Sequence, residues 1–340
     1  MTAAVVILNY NGEHFLKQFL PGVVRYSGQA KIYLADNCST DGSVEFAKTN
    51  FPEVSIVQNV SNGGFAKGYN DALKHVEEDI YILLNSDIEV GPGWTTPCLQ
   101  MLDTNPSISA TQPKILSWKE KNKYEHAGAA GGFLDADYYP FCQGRIVDIV
   151  ENDEGQYNQN REVFWATGAC LFIRKSVYRE HGGFDEDFFA HMEEIDLCWR
   201  IKLKGGTIWY CAQSCVWHVG GGTLSYTNPK KTHFNFRNSL YMIFKNHRGP
   251  VFFKMAKRMY LDGVAATLFL FKLEFRNFAA VFNAHLKFYA MLSINRAKRR
   301  IIQANIQNPN MRGVYKGSIV FQRFLEGIKS FSKLDPSKVS

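Results

Sequence analysis

With 340 residues, 46% of them hydrophobic and 14% aromatic, the chain can bury one large core or two ordinary ones, which excludes a disordered protein. Seven cysteines, scattered and odd in number, argue against a complete disulfide framework and fit a reducing compartment. The net charge of +7 conceals an asymmetry: residues 229–340 carry 21 Lys and Arg against Asp262, Glu274, Glu326 and Asp335, net +17, whereas residues 1–228 carry net −10.

Met1–Ala4 runs into an apolar segment with no basic n-region, so no signal peptide is expected. The first ninety residues then alternate between two periods. Ala4–Leu8, Lys31–Ala35, Val54–Gln58 and Ile80–Leu84 read as short strands, and Glu13–Arg25, Gly42–Asn50 and Phe65–Val76 as helices between them. This βαβαβαβ order predicts an α/β fold with a mainly parallel central sheet flanked by helices. Such sheets bind ligands at the carboxyl ends of their strands. Polar groups cluster there: Asn9, Tyr10 and Asn11 after the first strand, Asp36 and Asn37 after the second, Asn62–Gly64 after the third, and Asn85, Ser86 and Asp87 after the fourth. No G-x-G-x-x-G follows the first strand and no P-loop motif occurs, which removes the main support for dinucleotide or P-loop chemistry.

From Ser107 to Arg161 the pattern weakens into Gly- and Tyr-rich loops and an acidic stretch. Val163–Lys175 reads as one long strand, Glu193–Lys204 as a helix stopped by Gly205-Gly206, and Thr207–Cys211 and Cys215–Val219 as two strands. Beyond Lys231 the chain turns aromatic, basic and helical.

Seven segments in order, ILNYNG, ADNCSTDGS, NGGFAKGYN, LLNSDIEV, TGACLFIRK, GGFDEDFFAHMEEIDLCWR and VWHVGGG, resemble family 2 glycosyltransferases of the GT-A fold, in the bacterial rhamnosyltransferase-like branch. The resemblance covers about residues 4–245. It implies a nucleotide-diphospho-sugar transferase domain, with a nucleotide-binding half over about 1–105 and an acceptor half over about 106–245, followed by a helical region over 246–340.

The resemblance also implies roles. Asn9, Tyr10 and Asn11 would line the nucleoside pocket and Asp36 would bond the nucleobase; the alternative for Asp36 is a helix cap. Asn62, Gly64 and Lys67 would face the nucleotide from a helix N-terminus, with a surface lysine the alternative for Lys67. Asn85-Ser86-Asp87 corresponds to the D-x-D motif with its first aspartate replaced, so Asp87 would ligate Mg²⁺ or Mn²⁺. His218 would contact the same metal or serve the strand end structurally. The nearby Cys211 and Cys215 lack a zinc spacing. In MEEIDLCWR the family's Glu-Asp pair becomes Glu193-Glu194, leaving the general base between these two; Asp196 would join them or pair with Arg200 four residues on. Arg237 resembles a position near the diphosphate.

The implied activity is inverting transfer of a sugar, dTDP-rhamnose being one donor, to a hydroxyl of a glycan or lipid-linked acceptor. A sugar-1-phosphate nucleotidyltransferase lacks its glycine-rich start here, and a non-catalytic nucleotide-sugar-binding module is a further rival. A nucleic-acid partner has only the basic tail in its favour and is not expected. Val264–Phe271 is too short to span a bilayer. The interleaved aromatics and cations suit helices lying on an anionic membrane surface, or else a cap on the catalytic domain. The expected location is cytoplasmic, on the inner face of the plasma membrane.

Overall fold

The computed structural model describes residues 1–220 and 228–340, so Gly221 and Gly222 at the end of the VWHVGGG segment lie outside it. Its amino-terminal part follows the alternation in the sequence: β1 (Ala3–Asn9), α1 (Glu13–Tyr26), β2 (Lys31–Asp36), α2 (Ser43–Asn50), β3 (Ser55–Gln58), α3 (Gly64–Ala72) and β4 (Ile80–Asn85). The strands lie in the order β3-β2-β1-β4, all parallel. Because side chains alternate across a strand, Ala4, Val6, Tyr81 and Leu83 join the core on one face, and Val5, Ile7, Ile82 and Leu84 the core on the other. Full burial of an Ile or Leu side chain is worth about 1.5–3 kcal/mol, so β4, with Ile82, Leu83 and Leu84 wholly buried, is a strong anchor.

Beyond β4 the sheet becomes mixed. β5 (Ile88–Val90) and α4 (Thr96–Thr104) lead into β6 (Ile108–Ser117). The weakly patterned stretch then builds a second, four-stranded sheet from β7 (Gly132–Leu134), β8 (Pro140–Cys142), β9 (Arg145–Ile146) and β10 (Ile149–Val150). The expected long strand at Val163–Lys175 is two: β11 (Arg161–Val163) on the sheet edge and β12 (Cys170–Arg174), antiparallel between β4 and β6. The break falls where Trp165 turns to bridge Gly132 and where Gly168 passes so near Phe65 that a Cβ would lie 3.0 Å from its ring. After α5 (Lys175–Glu180) and α6 (Glu193–Leu203), the two expected strands are one, β13 (Thr207–His218), with a register shift between Cys211 and Cys215.

Five helices follow: α7 (Pro229–Asn246), α8 (Phe252–Phe271), α9 (Phe275–Ala290), α10 (Leu292–Ala304) and α11 (Ile319–Phe324). None in the described residues is long and apolar enough to cross a membrane. The boundary expected at residue 245 is not where packing stops. The last residues return to the small sheet, where the Tyr315 amide donates to Leu134, and Phe331 packs 4.9 Å from the Phe133 ring. Tail cations also neutralise acids of the body: Lys298 of α10 pairs with Asp185 and Asp187, and Lys245 of α7 with Asp185 and Asp196. The α8–α9 hairpin, by contrast, leaves Phe253, Phe271 and Phe275 mostly exposed.

Candidate active site

The strand tips open into a cleft of about 1550 Å³. At its floor, β5 pairs antiparallel with the end of β13, opposing Ile88 to His218 and bonding the Val219 amide to the Asp87 carbonyl. This register brings together residues 131 positions apart: His218 Nε2 lies 3.1 Å from Asp87 Oδ1 and 3.4 Å from Asn85 Nδ2. Glu125, from the loop after β6, reaches the other face of the ring, 3.4 Å from Nδ1. Burial disfavours a charged imidazole here, but the two carboxylates outweigh it and raise His218 to about 10. Glu125 is held below the usual range: burial works against its charge, and His218 with the Ala127 amide overcomes that. The sequence offered little to find Glu125, since it precedes a run of Ala and Gly with no periodicity. Glu89 points elsewhere, accepting from Trp118 and Lys121.

Tyr10, Asn11, Asn62, Gly64, Asn85 and Ser86 line the cleft. Asn9 and Asp36 do not; both are buried beneath it. Asn9 Nδ2 donates to Asp36 Oδ1 and Ser39 Oγ at 3.1 Å, and Asp36 Oδ2 accepts the Ser39 amide at 3.0 Å, so this pair shapes the loop on which Asn11 rests. Asp36 caps no helix; Gly42 is the cap residue of α2, and Asp41 before it accepts from the Ser43 amide. The α3 amides are not open to a nucleotide. Gly64 N donates to Asn62, and Phe65 N and Ala66 N both donate to the Phe189 carbonyl. Gly64, at φ +80°, permits that approach, since a Cβ would lie 2.4 Å from the carbonyl oxygen. Lys67 is bound to Asp71 at 2.7 Å and lies outside the cleft.

The opposite wall carries the acids. Glu193 and Glu194 begin α6 and both line the cleft, each with one carboxylate oxygen buried and unpartnered. Burial, reinforced by Glu194 and Asp196, pushes Glu193 well above the carboxylate range; burial raises Glu194 to about 7 against the opposing Gly168 amide. Charge on Glu193 is thus disfavoured, and Glu194 sits where it can gain or lose a proton near neutral pH. Asp196 does not belong with them. It is wholly buried, its oxygens taken by Arg200 Nε at 2.9 Å, Asn246 Nδ2 at 2.7 Å and Lys245 Nζ at 3.0 Å. Among its candidate roles only the pairing with Arg200 survives.

Phe189, His191 and Met192, just before the pair, have φ of 63°, 72° and 72°, a costly run for residues with side chains. Arg237 and Asn238 of α7 hold it there. Arg237 Nη2 donates to the carbonyls of Asp187 and Phe188, and Asn238 Nδ2 to those of Phe188, Ala190 and His191. Arg237 thus spends its Nη2 on carbonyls and its Nε on the Asn238 side chain, and it does not line the cleft, which makes it a backbone clamp here.

The strand-tip donors suit a hard divalent ion. Adjacent ligands of an octahedral ion at 2.0–2.1 Å lie about 3 Å apart, close to the 3.1 Å between Asp87 and His218, whose Nε2 would give up its proton to bind. Two carboxylates flanking one imidazole also make a site that favours positive charge. Among the described residues no group of three or more His, Cys, Asp or Glu is placed to hold a metal ion, so phosphate and water would have to supply most of the shell.

Comparison with known proteins fits this arrangement. The chain is 27% identical over 230 residues, 63% of its length and 75% of the relative's, to N-acetylglucosaminyl-diphospho-decaprenol L-rhamnosyltransferase of Mycobacterium tuberculosis. It is 23% identical over 217 residues to rhamnosyltransferase WbbL of Escherichia coli K12, covering 61% of this chain and 79% of that one. Among solved structures it is similar to mannosyltransferase PcManGT of Pyrobaculum calidifontis in complex with GDP-Man and Mn²⁺ (TM-score 0.53, 13% identity, 89% of this chain and 83% of that). It is similar also to GalNAc-T7 with UDP, GalNAc and Mn²⁺ (TM-score 0.55, 17% identity, 72% of this chain), of which it spans about half, 48%. At such identities the structures speak for the fold alone, and that fold is GT-A. The family described as glycosyl transferase family 2 matches residues 4–182, more than half of the sequence, and the chain belongs to that family.

Proposed function

We propose that the protein transfers a sugar, with inversion, from a nucleotide diphosphate-sugar to a hydroxyl of a glycan or lipid-linked saccharide. The observation that carries this reading is one cleft with Asn85, Asp87 and His218 on its floor and, on its wall, a carboxyl at Glu194 raised to about 7. Glu194 takes the hydroxyl proton as the acceptor oxygen bonds the anomeric carbon and the bond to the nucleotide diphosphate breaks. Burial and the neighbouring Glu194 disfavour charge on Glu193, which leaves Glu194 as the acceptor of that proton. Asp87 and His218 would hold Mg²⁺ or Mn²⁺, which as a Lewis acid offsets charge on the departing diphosphate. Tyr10, Asn11 and Asn62 face the nucleoside, while Asn9 and Asp36 fix their loops from below.

The two rhamnosyltransferase relatives support rhamnose as the sugar, and the name of the mycobacterial one supports a diphospho-lipid acceptor. The exposed aromatics of α8 and α9 beside Lys and Arg support attachment to an anionic bilayer, with the protein on the inner face of the plasma membrane. The test is a screen of nucleotide-sugars, dTDP-rhamnose first, with Mn²⁺ or Mg²⁺ and saccharide acceptors. Metal-dependent release of nucleotide diphosphate with formation of a glycoside is expected. Pyrophosphate release from a nucleoside triphosphate and a sugar phosphate would overturn the reading.

A further inference from the structure

The cleft wall formed by the small sheet and α8 carries cations that the transfer chemistry does not use. Arg145 on β9 lines the cleft and is only 7% exposed. Its guanidinium donates to the Val147 carbonyl at 3.0 Å and approaches the Pro140 carbonyl and the Cys142 sulfur at 3.5 Å. It forms no ion pair among the described residues, and its Nε has no partner. A buried cation without a counter-charge is costly, so its retention calls for an anion.

Arg258 on α8 lines the same cleft and is 4% exposed. Its Nε is bound to Asp262 at 2.8 Å, which offsets its charge, but its Nη1 is also unpartnered. Its guanidinium stacks 4.1 Å from the Tyr139 ring, one residue from the Pro140 carbonyl that Arg145 approaches. Both buried guanidiniums thus contact the Tyr139–Pro140 step, one at the Pro140 carbonyl and one at the Tyr139 ring, and each has an N–H without a partner. The exposed Arg276 of α9 lines the cleft as well. None of the cleft's acids pairs with Arg145 or Arg258: Asp87 and Glu125 flank His218, and Glu193 and Glu194 sit on α6.

The geometry points to an anion subsite at Arg145 and Arg258 that binds the phosphate or diphosphate linking the acceptor saccharide to its carrier. Guanidinium forks match phosphate oxygens in shape and charge. The assignment rests on the transferase reading for the acceptor's sugar end. The carrier is a lipid or a soluble sugar phosphate; Phe253 and Phe271, exposed on the same helix as Arg258, favour the lipid.

The test is calorimetric titration of the full chain in EDTA, which removes metal-assisted diphosphate binding at the strand tips. The probes are inorganic pyrophosphate and geranyl diphosphate. Both should bind the wild type, and Arg145→Gln and Arg258→Lys should each weaken them about tenfold or more, the worth of a charge-assisted hydrogen bond. Asp87→Asn should leave this binding unchanged. Tighter binding of geranyl diphosphate assigns the site to a lipid linker, and equal binding to a soluble phosphate. Melting curves check folding of the two buried variants. If both unfold, the exposed Arg276→Gln carries the test and should weaken binding about threefold or more. No binding by the wild type, binding unaltered in folded Arg145→Gln and Arg258→Lys or in Arg276→Gln, or binding lost in Asp87→Asn would overturn the assignment. Since the titration needs no turnover, its failure leaves the transferase reading standing, and a failed donor screen leaves the subsite standing.

Discussion

Replacing Glu194 by glutamine keeps the side chain's shape and removes its basicity. Burial raises this carboxyl from 4.5 to about 7. The groups beside it are Glu193 and Cys198 on its own helix and the Gly168 amide from the segment before β12; Arg200 and Lys245 spend their charges on Asp196. A folded-state value above the unfolded one means that the folded protein holds the proton more tightly. The penalty for ionising Glu194 is thus absent below about pH 4.5 and complete above about pH 7. That difference is worth about 3 kcal/mol, or about 4 °C in Tm for a chain of this length. Glu194→Gln should therefore melt about 4 °C above the wild type at pH 8, with the gap closing toward pH 4.5. Its kcat should fall by ~10²–10⁴, and the acid limb of kcat/KM near pH 7 should vanish. Donor binding, read by thermal shift with Mn²⁺, should persist. A Gln variant that turns over with the wild-type pH profile refutes the reasoning, and a large loss in Glu193→Gln alone moves the base by one residue.

Three further outcomes are expected. Asp87→Asn should abolish transfer and metal-dependent donor binding while the melting curve stays cooperative, and Asn85→Asp should tighten Mn²⁺ binding by restoring a charge; an active Asp87→Ala enzyme in EDTA contradicts the metal role. Asn238→Ala removes the donor shared by three loop carbonyls and should cost about 2–4 kcal/mol of stability, with kcat falling more than donor affinity; unchanged turnover would mean that the positive-φ loop needs no clamp. Phe253, Phe271 and Phe275 changed together to serine should release the protein from liposomes containing anionic lipid at low salt. Point changes serve better than truncation from Met259, which would strip the buried Tyr315, Phe331 and Leu334 from the core. Wild-type indifference to those liposomes would make the hairpin's aromatic face a feature of the fold.

The sequence by itself determined the parallel half of the sheet. Alternation within β1, β2 and β4 and helical periodicity between them are local signals, and each strand end put its polar residues on one edge, so Tyr10, Asn11, Asn62 and Asp87 were legible as a site. It also brought Glu193 and Glu194 forward, because three acids at a helix start beside Gly-Gly and aromatics stand out locally. What it could not rank were groups whose role depends on a distant partner. Asp196 reads like its neighbours until Arg200, Lys245 and Asn246 close on it, and Arg237 reads as a phosphate ligand until its Nη2 is seen on two carbonyls about fifty residues away. Glu125 carries no periodic signal and became part of the site only when β5 paired with the end of β13 and set His218 beside it. A run such as Val163–Lys175 suits one strand as well as two, and only the close approach of Gly168 to Phe65 and the bridge from Trp165 to Gly132 decided where it breaks. Burial and charge pairing are properties of the packed chain, and they alone separated the carboxyls that face the cleft from those that hold the fold together.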